Sequence, residues 1–143
     1  MSSSKIIDYL NLPDSERNFS LYIREILLCD IFGKDKKEIL YYYGKDLANN
    51  FTFKSIDEIT ILFKKIGLGE LVLSKVKKNA YFFEASGEII NQRIAFNSKS
   101  EFTLETGFIA KAINLTTSLT AEGQYKINEK NKLVEFLIQT ISK

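Results

Sequence analysis

The sequence predicts an α+β domain, in which about five helices form a bundle that packs on a twisted antiparallel sheet of about four strands. The first observation is that apolar residues recur with the helical period of about 3.6 from Phe19 to Ile66, and that the period changes to 2 beyond Gly69. The second observation is that the period-2 segments form two pairs, each separated by a short turn. Because helices and hairpins are segregated along the chain, the pattern does not favour a parallel sheet with βαβ crossovers.

Helix and turn signals give the boundaries of each element. Gly33 is a typical stop for the first helix, and Asp35 stands three residues before Glu38, which is the spacing of a capping box. Ser55 and Glu58 repeat this spacing for the third helix. The predicted helices cover residues 19–31, 35–51, 55–66, 87–94 and 104–113. The predicted strands cover residues 70–77, 80–86, 119–127 and 133–141.

Residues 1–18 are predicted to form a flexible N-terminal arm, and residues 19–143 a single domain. The arm contains three consecutive serines, scattered charge and the one proline of the chain, Pro13. An apolar patch within residues 6–10 is the part of the arm that we expect to dock on the domain. A chain of 143 residues is long enough to bury a core without a disulfide or a metal.

The residue types that are absent restrict the chemistry. The chain has no histidine and one cysteine, Cys29, so an imidazole-based triad, a CxxC redox pair and an all-thiolate metal site within one subunit are excluded. The usual haem ligand is also missing, and no glycine-rich phosphate-binding motif is present. We therefore expect no cofactor, no metal and no enzymatic activity, although a carboxylate-based or tyrosine-based active site is left open.

Charge and hydropathy restrict the partners and the location. The 20 basic and 18 acidic residues are scattered, unlike the concentrated basic face of a nucleic-acid-binding protein. No apolar run approaches the roughly 20 residues that cross a bilayer, and no secretory signal is recognised. A single cysteine suits a reducing compartment. These features predict a cytoplasmic protein that binds no nucleic acid and does not span a membrane.

The first helix carries more apolar surface than a small domain is expected to cover. Between Phe19 and Phe32 it has two apolar faces, and only Arg24 and Glu25 clearly interrupt them. We expect the surplus to form the interface of a homodimer, and burial within one chain is the alternative. The residues predicted at this interface are Ile23, Leu27 and Leu28.

The second helix contains a pair of small residues, Gly44 and Ala48, on its apolar face. Glycine within a helix costs about 1 kcal/mol relative to alanine, so its presence suggests close approach of another backbone or of a ligand. Tyr43 lies on the same side of this helix and is a candidate ligand contact, whereas Tyr42 is expected to be exposed or interfacial.

The fifth helix contains a glutamate and a glycine that its amphipathic pattern does not explain. Glu105 lies near the middle of an apolar face that includes Phe108, and it is either a carboxylate stabilised by the helix dipole or a polar anchor in an apolar pocket. Gly107 forms a small-residue strip with Thr103 and Ala110, which favours a close helix crossing. We expect valine at position 107 to destabilise the fold by about 1 to 3 kcal/mol, and alanine to destabilise it much less.

The chain resembles the YslB-like family of bacterial proteins in its closing hairpin and in the stretches FGKDKKEILYYYGKDLA, FKKIGLGELVLSKVKKNAYFFEASGEII and LETGFIAKAIN. This resemblance extends from Ile31 to the C-terminus. The pattern ExGFIA followed by two strands is more distantly similar to the vinyl-reductase type of small-ligand-binding domain. Through that domain type it resembles the Bet-three-like subunits of the vesicle-tethering complex TRAPP and haem-dependent nitric oxide sensors.

The resemblance implies a helical bundle against a twisted antiparallel sheet, dimerisation through helices and a site for a small hydrophobic ligand. We take Glu105, Phe108 and Tyr43 as the candidate ligand contacts. The sequence departs from the relatives that hold cofactors, because residues 121–138 contain no cysteine and the missing histidine excludes the haem ligand of the sensors.

Three classes of function are compatible with these features. A homodimeric binding or adaptor module, which holds a small apolar ligand or a protein partner, explains the surplus apolar helix and the small-residue seams, and we favour it. A purely structural interaction protein with a filled core explains the same features without a ligand. An enzyme would require acidic residues or tyrosines paired in a cleft.

Overall fold

The computed structural model describes residues 2–141 and shows the α+β fold that the sequence predicts, with helices packed on an open four-stranded antiparallel sheet. The helices are α1 (Ser2–Leu10), α2 (Phe19–Tyr22), α3 (Leu28–Phe32), α4 (Lys36–Ala48), α5 (Ile56–Ile66), α6 (Glu88–Phe96) and α7 (Thr103–Thr117). The strands are β1 (Glu70–Lys77), β2 (Ala80–Ser86), β3 (Thr120–Asn128) and β4 (Leu133–Ile141). None of these helices is both long and apolar enough to cross a bilayer.

Residues 19–32 form one continuous helix that changes its winding in the middle. A π-helical segment, Ile23–Leu27, joins α2 to α3. The helix begins at Asn18, whose side-chain oxygen accepts a hydrogen bond of 2.8 Å from the backbone N–H of Leu21. It ends at Gly33, which has a φ of 56°. The predicted C-terminal stop therefore forms at Gly33, and Asn18 provides the N-cap.

The predicted N-terminal arm contains the helix α1, which its serine-rich sequence did not suggest. The Tyr9 ring packs edge-on against Tyr22, with ring centroids 5.4 Å apart. The Tyr9 hydroxyl also donates a 2.9 Å hydrogen bond to the carbonyl of Asn18. These contacts hold α1 against the start of the helix of residues 19–32.

The sheet has the strand order β1-β2-β4-β3, so the two predicted hairpins join through β2 and β4. Asn79 and Lys132 take left-handed conformations in the turns, with φ values of 64° and 56°. The face of the sheet that packs on the helices is formed by alternating side chains of each strand. Its fully buried members are Phe83, Ala85, Val134, Phe136 and Ile138.

The helix α7 is the central element of the core. Every residue from 104 to 110 is buried, and Phe108 is in contact with the rings of Phe51, Phe53 and Phe63. The helix of residues 19–32 contributes no side chain to this main core. The alternative in which the helix of residues 19–32 is buried on all sides within one chain is therefore not observed, and α7 is the helix buried in this way.

A pair of glycines allows α4 and α7 to cross closely. A methyl group built at Gly44 would lie 2.1 Å from the carbonyl oxygen of Leu104, and one built at Gly107 would lie 2.1 Å from that of Tyr41. Ala48 is also fully buried on this side of α4. The small residues thus pack within one chain, which leaves them unavailable to an interface between chains.

The two capping boxes do not form as predicted. Neither Asp35 nor Ser55 makes a side-chain hydrogen bond to the first turn of its helix. Glu58 instead accepts a 2.8 Å hydrogen bond from the backbone N–H of Lys54. Helix starts can be recognised from this spacing, but the rotamer of the capping side chain depends on its surroundings.

Candidate functional site

Four charged side chains meet in the interior between three helices. Arg24 makes a two-pronged contact with Glu105, with Nη1 2.7 Å from Oε2 and Nη2 2.8 Å from Oε1. Arg93 binds Glu25 through Nε at 2.8 Å and Glu105 through Nη1 at 3.2 Å. The side chains of Glu25, Arg93 and Glu105 are at most 3% exposed, whereas that of Arg24 is 15% exposed. We call these four residues the ion network.

The ion network ties the π-helical segment to α6 and α7. Arg24 and Glu25 are neighbours in the chain, yet each binds an oppositely charged side chain on a different helix. π-Helical turns inside longer helices are uncommon and occur frequently at functional sites. The irregular winding therefore coincides with the two residues that interrupt the apolar faces of this helix.

A second layer of contacts holds Arg93 in place. Its Nη2 donates to the carbonyl of Glu101, and its guanidinium lies over the Phe102 ring at 4.1 Å from the centroid. The Tyr125 hydroxyl donates to the carboxylate of Glu101 at 3.3 Å. Burial and the Glu101 carboxylate raise the pKa of Tyr125 to about 12, so this hydroxyl remains a donor at neutral pH.

The ion network keeps Glu105 ionised. Burial by itself raises the pKa of the carboxyl group, but the guanidinium groups of Arg24 and Arg93 lower it more strongly, and the net pKa lies below the usual range. Two arginines and two glutamates give the ion network no net charge. Since both oxygens of Glu105 are occupied, this carboxylate is suited to holding the helices in position and unsuited to accepting a proton.

A cleft of about 680 Å³ opens beside the ion network, and Arg24, Arg93 and Glu105 form part of its wall. It lies where α5 ends and α6 begins, so the backbone around Gly69 and Gly87 also faces it. Its remaining lining residues are Asn18, Ser20, Leu21, Ile23, Lys64, Gly67, Leu68, Glu70, Ser86, Glu88, Ile89 and Gln92. Apolar side chains and a few fixed polar groups are thus combined in one concave surface.

A chain of polar contacts crosses the cleft between two helices. Asn18 donates a 2.9 Å hydrogen bond to Gln92, and Gln92 donates a 3.2 Å hydrogen bond to Glu88. Asn18 belongs to the start of the helix of residues 19–32, whereas Gln92 and Glu88 belong to α6. This contact and the ion network therefore connect the same helix to the rest of the molecule at two places.

The structure does not bring the three predicted ligand contacts together. Glu105 lines the cleft, and of its two interpretations the buried polar anchor fits its position. Phe108 is fully buried in the aromatic core, and Tyr43 is 55% exposed on α4. The helical pattern predicts that all three lie on apolar faces of their helices. In the structure they are apart, because Glu105 lies at the cleft, Phe108 in the core and Tyr43 on the surface.

The residues predicted at an interface divide into two groups. Ile23, Leu27 and Leu28 are partly exposed on the helix of residues 19–32, and Ile23 lines the cleft. Gly44 and Gly107 are used in the crossing of α4 and α7.

Sequence reasoning missed three members of the ion network: Arg24, Glu25 and Arg93. The signal for the first two was present, because an adjacent pair of opposite charges interrupts an otherwise apolar helix. Arg93 gave no comparable signal, since it lies in a short helix with other polar residues.

The comparisons with known proteins agree with the fold. A sequence profile of the family described as "Protein of unknown function (DUF2507)" matches residues 19–139. The chain is 36% identical over 122 residues to "Uncharacterized protein YslB" of Bacillus subtilis (strain 168), which covers 84% of this chain and 82% of that protein.

Solved structures resemble the chain in fold at low sequence identity. A vinyl-4-reductase family protein from Methanocaldococcus jannaschii superimposes with a TM-score of 0.56 and 17% identity, over 99% of this chain and 90% of that one. Two weaker matches have TM-scores of 0.49 and support no argument. One is an H-NOX protein mutant from K. algicida, at 15% identity over 76% of this chain and 64% of that chain. The other is a trafficking protein particle complex subunit 3 from Naegleria fowleri, at 13% identity over 98% and 96%.

The profile match covers most of the chain, and the relative from Bacillus subtilis exceeds a third in identity over 84% of it. The residues matched by the profile extend from the start of α2 into β4. The protein therefore belongs to the family described as DUF2507.

Proposed function

We propose that the protein is a non-enzymatic binding module that holds a small amphipathic molecule in the cleft. The observation that carries the proposal is the position of the cleft against the buried ion network. Ligand sites commonly have volumes of about 300 to 1,000 Å³, apolar walls and a small number of fixed polar groups. The volume of about 680 Å³ and the mixed lining match this description.

The apolar and polar parts of the lining suggest how such a ligand is oriented. Leu21, Ile23, Leu68 and Ile89 offer apolar contacts, and Arg24 is the member of the ion network with the most exposed side chain. We expect the apolar body of the ligand to contact the four hydrophobic residues. We expect a hydrogen-bond acceptor of the ligand to face the guanidinium group.

Binding is proposed instead of catalysis because of the state of Glu105. Its lowered pKa and its contacts with two arginines do not suit a general acid or base at neutral pH. The alternative of an enzyme with a carboxylate or tyrosine site would, within this cleft, have the carboxylates Glu70 and Glu88 to use. A cytoplasmic location remains part of the proposal and rests on the single cysteine.

Self-association through helices is the second part of the proposal. Large hydrophobic side chains are exposed on α3 and α4, including Ile31 at 61%, Ile39 at 38%, Tyr42 at 66% and Tyr43 at 55%. Apolar residues that cluster on a surface are typical of protein interaction sites. A second copy of the chain is the proposed partner, and a different protein partner is the adaptor alternative.

Native mass spectrometry of the protein purified without added ligand tests the binding proposal. We expect a small molecule to be retained, and we expect Ile89→Trp to abolish its retention by filling the cleft. Ile89 is 42% exposed, so a larger side chain there leaves the core intact. Leu115→Trp is the matched control, because Leu115 is 40% exposed on α7 and does not line the cleft. Failure of wild-type protein to retain any molecule, or retention by the Ile89 variant, would contradict the proposal.

A further inference from the structure

We propose that residues 19–32, which we call the gate helix, detach from the domain as a unit and thereby control access to the cleft. The gate helix forms one wall of the cleft through Ser20, Leu21, Ile23 and Arg24. The opening of the gate helix depends only on contacts within the chain and does not require a ligand. Its role as a control of ligand entry rests on the function proposed above.

The gate helix is poorly anchored by apolar contacts. It contributes no side chain to the main hydrophobic core. Of its apolar residues, Leu21 and Ile26 are buried, whereas Phe19 is 65% and Ile31 is 61% exposed. Detachment therefore exposes much less apolar surface than the removal of α7, from which seven consecutive residues, 104–110, are buried.

Polar contacts attach the gate helix to α6 and α7. Arg24 binds Glu105, Glu25 binds Arg93, and the helix start is held by the contact between Asn18 and Gln92. The charged groups recover their hydration when the helix moves into water, and this gain offsets much of the lost attraction. An element held by ion pairs consequently opens at a lower free energy than one held by a packed core.

The ends of the gate helix permit this movement. Gly33 has a φ of 56°, and a methyl group built there would meet no atom within 4 Å, so the chain is unobstructed at this point. At the other end, a turn containing Pro13 joins the gate helix to α1, which packs on the start of the gate helix through Tyr9. The π-helical segment already departs from regular winding in the middle of the gate helix.

Native-state hydrogen exchange of the full chain, read by mass spectrometry, tests the proposal without a ligand. We expect the amides of the gate helix to exchange through an opening that is on the order of 100-fold more frequent than the opening that exposes α7. Equal protection of the gate helix and α7 across low urea concentrations would show that they open only together, and it would overturn the proposal.

Two variants test the contact at the start of the gate helix. Gln92→Ala removes the hydrogen bond from Asn18, together with the one that Gln92 donates to Glu88 within α6, and should speed exchange in the gate helix about threefold to tenfold, with no change in α7. Asn128→Ala is the control, since it removes side-chain hydrogen bonds with Glu135 and Asn131 that lie within the hairpin of β3 and β4. Equal effects of the two variants on the gate helix would contradict the proposal.

A covalent bridge provides the opposite test. In a Cys29→Ser background, Asn18→Cys and Gln92→Cys can be joined by a short bis-maleimide. The bridged protein should exchange more slowly in the gate helix than the same protein before bridging, and unchanged exchange would count against the gate.

If the gate opens and no small molecule is retained by wild-type protein, the binding function fails and the gate stands. If a molecule is retained and the gate helix is as protected as α7, the binding function stands and the gate fails.

Discussion

At Gly44 and Gly107, the absence of a single methyl group allows two helices to approach closely. A methyl group at either position would lie 2.1 Å from a backbone oxygen of the facing helix. Backbone cannot move aside as the end of a side chain can, so alanine is already too large. We therefore expect alanine at position 107 to be destabilising in its own right, and valine to be more so.

The first prediction concerns these glycines. Gly44→Ala and Gly107→Ala should each destabilise the fold by about 2 to 3 kcal/mol, despite the better helix propensity of alanine. Gly123→Ala is the contrast, because its methyl group would meet the side-chain ends of Ile138 and Thr106. Urea unfolding should show a smaller loss for this variant, and equal losses at all three positions would refute the explanation.

The second prediction concerns the charge of Glu105. Glu105→Gln leaves Arg24 and Arg93 without their shared counter-ion, and removing one partner of a buried pair costs about 3 to 5 kcal/mol. Glu122→Gln should cost less than about 1 kcal/mol, since the side chain of Glu122 is 58% exposed in its ion pair with Lys45. A loss of only some tenths of a kcal/mol at Glu105 would instead indicate a simple helix-terminal carboxylate.

The third prediction is the pH dependence that follows from the same carboxylate. The pKa of Glu105 is lower in the folded state than its ordinary value, so the folded protein binds this proton less readily than the unfolded chain. The stabilisation is complete above the ordinary glutamate pKa of about 4.3 and is lost as the pH falls through the folded value. Urea unfolding at several pH values should show the advantage of wild type over Glu105→Gln shrinking in acid. If the stability advantage of wild type instead grew as the pH falls, the predicted direction would be contradicted.

At the scale of elements, the unequal burial of two helices is the main finding. The helix α7 is enclosed by α4, α5 and the sheet, whereas the gate helix covers the outside and is held largely by charge. An enclosed helix has no polar face, so its amphipathic pattern is weak. Apolar and polar residues are accordingly less clearly separated onto opposite faces in α7 than in α5.

The fourth prediction compares these two helices. Ile113→Ala should destabilise the fold by about 2 to 5 kcal/mol, because Ile113 is fully buried in α7. Phe19→Ala should change the stability by no more than about 0.5 kcal/mol, because Phe19 is 65% exposed at the start of the gate helix and is outside the proposed interface. Thermal or urea unfolding of both variants provides the measurement. Similar losses would mean that the start of the gate helix is buried as deeply as α7, and they would contradict the unequal burial of the two helices.

At the scale of the whole molecule, the fifth prediction concerns self-association. Light scattering at micromolar concentration should give twice the chain mass, and Ile31→Glu should reduce it to that of one chain by placing a charge in the apolar interface. Val76→Glu is the control, since Val76 is 55% exposed on β1, at the edge of the sheet opposite to β3, the strand that contacts α4. A wild-type monomer, or a dimer that survives Ile31→Glu, would exclude the proposed interface.

The sequence predicted the hairpins closely because their signals are local. The expected limits of β1, β2 and β4 coincide with those in the structure, and β3 is displaced by one residue. Alternation of apolar residues and a few turn residues suffice to define a hairpin. The order in which the hairpins pair involves β2 and β4, which lie far apart in the chain, and no local pattern specified it.

By itself, the sequence determined the fold class, the limits of most elements and the absence of imidazole and paired-thiol chemistry, since these follow from composition and from patterns within a few residues. Only the tertiary structure decided which helix is central and where the charges lie. Arg24 and Glu105 are 81 positions apart, and their contact forms only when three helices converge. Whether a charge in an apolar helix is solvated, paired or unpaired depends on what the fold brings to it, because burial is stable only when a partner offsets the loss of hydration.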